Sequence, residues 1–360
     1  MKIKRCGECG FSLALARLVR FKDNGTIVGR MDQNFRLSLV EADFLTEIFQ
    51  RIENELGLSI MHVAFEAQRN SSTEVINIIL KGIPGMVRWT SFGKRFVVSM
   101  FCRMAIWTGQ GYSEVVTYKP GKFGEAILRN PFNRELIAAV VVGAFESLER
   151  KPFSHTFSKK DGEDIISIRP EPSRPEIADR LTFTTTPMKR GWHGYQRCPK
   201  CKVPLALKLE WDEINQGIVM DTRRNVRMVF LDSYTPNVVF RELARELGEE
   251  IYPIIIDSQR EFSLRHLREE FLTGEELGET VEKKSFYLSV LDEMVLRGWG
   301  NPVEHSFEGD SLRVIVENPF NPHLLAGLLC AMYELGEGRR AAAAWEEMDP
   351  STLEFTLIPA

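Results

Sequence analysis

A chain of 360 residues, 44% hydrophobic and 27% charged, has the composition of a globular protein of about two domains, which excludes a disordered or fibrous one. Its 46 basic and 50 acidic residues leave a net charge of −4, so no general attraction to nucleic acid is built in. No run of about 18 apolar residues exists to span a bilayer, and the expectation is a soluble, cytoplasmic protein.

The chain opens on Cys6-Gly-Glu-Cys9, which returns as Cys198-Pro-Lys-Cys201, a shift of 198 − 6 = 192 residues. The match then continues with small drift. Asn34-Phe35-Arg36-Leu37 reappears as Asn225-Val226-Arg227-Met228, Glu55-Leu56-Gly57 as Glu246-Leu247-Gly248, Gly109-Gln110-Gly111 as Gly298-Trp299-Gly300, and Asn130-Pro131-Phe132-Asn133 as Asn318-Pro319-Phe320-Asn321. One unit is written twice. The expected division is a first repeat over 1–170, a linker over 171–196 rich in proline, and a second repeat over 197–360, related by a pseudo-twofold axis.

Within each repeat the cysteine pair precedes two β-rich runs joined by a tight turn, Asn24-Gly25 in the first copy and Gln216-Gly217 in the second. Ala42, Leu45, Ile48, Phe49, Ile52 and Leu56 recur at helical spacing and stop at Gly57; Val239, Leu243 and Leu247 before Gly248 are their echo. The stretch from Ile60 to Leu80 reads as partly helical, broken around Asn70-Ser71-Ser72. A denser apolar helix is expected over Arg95 to Thr108, and strands over Tyr112 to Lys119 and Gly124 to Leu128, turning at Pro120-Gly121. Asn133 caps a further helix, and a closing strand covers Asp164 to Ile168. The second copy predicts a helix over Phe286 to Leu296, strands over Val303 to Phe307 and Leu312 to Val316, and a last strand over Leu353 to Ile358. The fold class is α/β in the mixed, α+β sense: two tandem repeats, each an antiparallel sheet with helices packed on it, preceded by a zinc-ribbon-like hairpin.

A closed structural zinc needs four ligands, and each Cys-x-x-Cys supplies two, so Cys6, Cys9, Cys198 and Cys201 are the candidate set for one shared Zn ion. Redox pairs, free thiols, or His193 in place of one thiolate are the alternatives. Cys102 and Cys330 lie in apolar helices and read as core. Arg69 and Arg260 share a repeat position, suited to a bound carboxylate or to an ordinary surface pair. No nucleotide loop, no nucleophile elbow and no His-Glu-x-x-His spacing is present, so no catalytic constellation is recognisable.

The order helix, Gly-x-Gly, β-hairpin, small-residue helix and last strand resembles the 4-vinyl reductase domain family. The residues carrying it are Gly109, Gly111, the helix Leu136 to Phe145 and Asp161-Gly162, then Gly298, Gly300, Leu324 to Tyr333 and Asp349. The resemblance implies binding of a small apolar or aromatic molecule beside the helix Arg95–Thr108 or its copy. Phe96, Met100, Met104 and Trp107, with Phe286 and Met294 in the second repeat, are then the pocket candidates, against the alternative that such a stripe is plain core. It also implies a sensor or carrier acting on a protein partner or as a homo-oligomer. The family's own zinc positions fall at His155, Ser158 and Ile166, none a cysteine, so that site does not carry over, while a different set of cysteines stands at the start of each repeat. An adaptor subunit without ligand and an accessory factor in tetrapyrrole or aromatic metabolism are the alternatives.

Overall fold

The structure, a computed structural model, describes residues 3–83, 85, 90–212, 214, 217–271 and 280–360. The first repeat runs α1 (Leu13–Leu18), β1 (Val19–Phe21), β2 (Ile27–Gly29), β3 (Arg36–Glu41), α2 (Phe44–Leu56), α3 (Met61–Lys81) and α4 (Ser91–Trp107). It continues with β4 (Tyr112–Lys119), β5 (Phe123–Arg129), α5 (Arg134–Glu149), β6 (Phe153–Lys160) and β7 (Glu163–Pro170). A short α6 (Ile177–Arg180) follows. The second repeat then gives β8 (Leu209–Trp211), β9 (Val219–Asp221), β10 (Val226–Asp232), α7 (Tyr234–Leu247), α8 (Ile251–Phe271) and α9 (Thr280–Leu296). Its last elements are β11 (Asn301–Glu308), β12 (Ser311–Glu317), α10 (Pro322–Glu337), β13 (Ala341–Asp349) and β14 (Thr352–Pro359).

Local chemistry sets most boundaries. Asn133 Oδ1 accepts from the N–H groups of Glu135 and Leu136 to start α5, and Asn321 starts α10 in the same way through Leu324. Gly57, at φ 65°, ends α2. Three details differ from the sequence expectation. The run after Cys9 forms α1, because Ser12 Oγ accepts from Leu15 N; its counterpart Pro204 offers no such cap, and that stretch stays irregular. The helix α3 is unbroken at Asn70, Ser71 and Ser72, since Asn70 Nδ2 donates to the Ala178 and Leu181 carbonyls and the helix packs along α5. The strands β6 and β13 lie at sheet edges with one polar face, so their apolar signal is weak. In the second hairpin turn, Gln216 lies outside the described residues.

Among the described residues the strands form three antiparallel sheets. One repeat builds β4-β5-β7-β6 and the other β11-β12-β14-β13, while the third sheet, β1-β2-β3-β10-β9-β8, takes three strands from each. Its central pair is informative: Leu39 lies opposite Phe230, Glu41 opposite Met228 and Leu37 opposite Asp232. Leu39 therefore faces its own repeat counterpart, 230 − 39 = 191 positions on, and a pseudo-twofold axis passes there.

Beyond this pair the repeats are interleaved. The helix α2 packs on α8, with Phe44 against Phe262 and Trp299, and α7 packs on α3. Leu39 N donates to Arg297 O and Phe230 N to Thr108 O, each at the end of the other repeat's helix. Each three-stranded ribbon thus lies on the body of the opposite repeat, and the main core joins residues of both. The stretch 171–196 behaves as a strap: Leu181 is buried, Arg174 bonds Glu66 and Asn70, and Arg180 pairs with Glu242 of α7.

The hairpin tips explain two conserved-by-repeat glycines. A Cβ on Gly25 would fall 2.2 Å from Gly300 O, and one on Gly217 would fall 2.6 Å from Gly111 O; both glycines have positive φ. Gly25→Ala is expected to destabilise by roughly 2–4 kcal/mol, combining left-handed strain with backbone overlap. Gly57→Ala meets no atom within 4 Å and is expected to lose only about 1 kcal/mol. Urea midpoints of the two variants would check this; equal losses would refute the tight ribbon docking.

Candidate functional site

The four cysteines sit on two equivalent loops. Cys6 N donates to Phe11 O and Gly10 N to Cys6 O; in the second repeat Cys198 N donates to Val203 O and Lys202 N to Cys198 O. Gly10 and Lys202 both take left-handed φ, at 75° and 64°, which curls each chain round its sulfurs. The pseudo-twofold brings the loops face to face, with Cys6 Sγ 3.6 Å from Cys198 Sγ and Cys9 Sγ 3.3 Å from Cys201 Sγ. All four ligand atoms lie within 4.8 Å of one another.

This arrangement fits a metal ion. Zinc–sulfur bonds of about 2.3 Å in a tetrahedron put sulfurs about 3.8 Å apart, near the separations found. Cys6, Cys198 and Cys201 are buried and Cys9 is half-buried, in a core that includes Phe11, Val203 and Trp211. The N–H groups of Cys201 and Lys200 draw the Cys198 thiol down to about 6, whereas burial raises Cys9 and Cys201. Packed thiols so unequal are relieved when a dication takes all four as thiolates. His193 is not in the cluster, which among the described residues holds the four cysteines alone.

A second feature lies beside α4. A cavity of about 150 Å³ is walled by Leu15 and Leu18 of α1, Ile76 and Ile79 of α3, and Phe101 and Met104 of α4. Of the α4 candidates, Met104 lines it. Phe96 is 57% exposed, Met100 is half-buried away from the wall, and Trp107 packs under the ribbons, its carbonyl accepting from Trp211 Nε1. In the second repeat Phe286 is core between Phe271 and Tyr287, while Met294 borders a cavity of only about 40 Å³.

That smaller cavity is closed by charge. Glu41 accepts from Arg224 Nη1 and Arg297 Nη1, both at 2.7 Å, and Arg297 Nε donates to Glu293 at 3.0 Å. Burial pushes the Glu41 carboxyl up, but Arg297 and Arg224 outweigh it and hold the group well below the usual carboxylate range. Sequence reading passed over this network, although Arg297 standing where the first repeat has Thr108 was a signal. Arg69 and Arg260 are ion-paired, but in the interior and not at the surface, 2% and 7% exposed. Arg69 bonds Glu66, Glu146, Glu171 and the Phe153 carbonyl, while Arg260 bonds Asp257, Glu261 and Glu334.

No family model, no curated protein and no solved structure matches the chain. Among the described residues no helix is long and apolar enough to cross a membrane.

Proposed function

We propose that the protein binds a small hydrophobic or aromatic molecule in the cavity of the first repeat, with zinc at the four cysteines as a structural staple, and acts as a sensor or carrier towards a protein partner. The observation that carries this reading is an apolar cavity beside α4, on the helix that the resemblance to the 4-vinyl reductase family singles out. Zinc is favoured over other metals because an all-cysteine tetrahedron with no open position suits a closed, redox-inert site. Ligand and staple are neighbours: α1 begins four residues after Cys9 and contributes Leu15 and Leu18 to the cavity wall. A protein partner is supported by Phe92 and Phe96, 83% and 57% exposed and one turn apart on α4.

Burying roughly 250 Å² of a ring-sized molecule at about 25 cal/mol per Å² gives about 6 kcal/mol, a dissociation constant in the tens of micromolar. Toluene or indole at millimolar concentration is therefore expected to raise the melting temperature of the wild type by several degrees. Met104→Trp should fill the space and abolish the shift while the protein stays folded; Met294→Trp, with about 40 Å³ available in the core shared by both repeats, should instead lower the melting temperature of the whole protein. A wild type that no ring-sized apolar compound stabilises would leave the adaptor reading in its place.

A further inference from the structure

The two repeats set equivalent elements around the two cavities, and their differences specify a ligand. With the shift of 191 between α3 and α8 and of 189 between α4 and α9, Ile79 corresponds to Glu270, Met104 to Glu293 and Thr108 to Arg297. Gln33, on the surface, corresponds to Arg224. The acid at the end of the central strand is kept in both, as Asp232 in the first cavity and Glu41 in the second. Every charged partner of that acid has become neutral in the first repeat.

The remaining groups are arranged for a donor. Asp232 is buried at the start of α7 and accepts only from uncharged donors, Gln68 Nε2 at 3.0 Å, Thr235 N at 2.9 Å, Thr235 Oγ1 at 3.0 Å and Tyr234 N at 3.1 Å, with no cation beside it among its described partners. Asp32 also borders the cavity, and no Lys, Arg or His does among the described residues. Ser71, where the second repeat has Phe262, stands on the wall with residue exposure of 2%, and its Oγ has no hydrogen-bond partner among the described residues. A buried hydroxyl without a partner is unfavourable by roughly 1–3 kcal/mol, a deficit that a polar ligand group would remove.

We propose that the first cavity takes a small organic cation, a protonated amine on a ring-sized apolar body, whose ammonium supplies the charge that Arg224 and Arg297 supply in the second repeat. This rests on the ligand reading above and names its chemical class. The apolar body fits because a cavity of roughly 150 Å³ lined by aliphatic and aromatic side chains holds one six-membered ring. The ammonium fits because a carboxylate in low dielectric strongly favours a charge-assisted hydrogen bond over an uncharged contact. A carboxylic acid of the same shape would face Asp232 and Asp32 with no compensating cation.

The test is calorimetric titration of the whole protein at pH 7 with three compounds of matched shape: 2-phenylethylamine, propylbenzene and 3-phenylpropionate. The amine should bind at least tenfold more tightly than propylbenzene, and the acid should not bind measurably. Asp232→Asn, whose amide can still accept from Thr235 N, should bring the amine down to the propylbenzene level and leave propylbenzene unchanged. Thr108→Arg, which gives the first cavity the second one's internal cation, should also remove the preference for the amine. If propylbenzene binds as well as the amine, or Asp232→Asn leaves amine binding intact, the cation class is overturned while hydrophobic binding stands. Should none of the three bind the wild type, the ligand reading itself falls and the class with it.

Discussion

Cys198→Ser is expected to lower the stability of the whole protein by about 4 kcal/mol or more, to shift the melting temperature down by roughly 10 °C, and to empty the metal site. The basis is that the cysteines are the only cluster among the described residues able to hold a metal, and that they join loops 192 positions apart in the chain, 198 − 6. Structural zinc binding contributes on the order of 10 kcal/mol of folding energy in small domains, and loss of one thiolate forfeits a large part of it. Because α1 follows the first cysteine loop and walls the adjoining cavity, the ligand binding proposed there should weaken in step. Metal content by mass spectrometry, with melting curves before and after a chelator, provides the measurement. Cys102→Ser, outside the cluster, is the control and should change little. A reduced preparation with no metal, or a Cys198→Ser protein with its full metal content, would refute the shared site.

Arg69→Met is expected to destabilise the protein by roughly 3–5 kcal/mol, because it strands buried carboxylates in low dielectric. Burial works against the charge of Arg69, and Glu146 and Glu66 overcome that penalty so that the guanidinium is held more firmly than usual. Its nearest partners, Glu66 and Glu146, are as buried as it is, with side chains 7% exposed. The equivalent change in the second repeat, Arg260→Met, should lose roughly 1 kcal/mol, since Asp257 and Glu261 reach solvent and can be rehydrated. Guanidinium unfolding midpoints for the pair would decide; a smaller loss at Arg69 than at Arg260 would contradict the account.

Elements whose causes are local were legible in the sequence. The caps at Asn133 and Asn321, the stops at Gly57 and Gly248, the hairpin at Asn24-Gly25 and the stripe from Ala42 to Leu56 each declare themselves within a few residues. The cysteine spacing and its return identified the cluster, since only a symmetric juxtaposition supplies four thiols. What pattern could not convey is which copy each element joins. The strand β3 is equally compatible with pairing inside its own repeat, and only the long-range contacts of Phe44 with Phe262 and Trp299 show that the ribbons are exchanged. The stripe on α4 was ambiguous for a related reason: Phe96, Met104 and Trp107 are all apolar, yet one meets solvent, one a cavity and one the opposite ribbon.

The exchange of ribbons bears on how the two cavities came to differ. A chain carrying a single copy of the repeat could cover its own body only by associating with another, so the same architecture would be a symmetric homodimer with two identical cavities. A hollow of about 150 Å³ lowers stability by roughly 3–4 kcal/mol at about 24 cal/mol per Å³, and such a dimer would bear that twice. Covalent duplication frees one copy from the other. Glu41, Arg224, Arg297, Glu270 and Glu293 can then lock one site shut as a rigid brace, while its twin stays hollow and available to solvent-borne molecules.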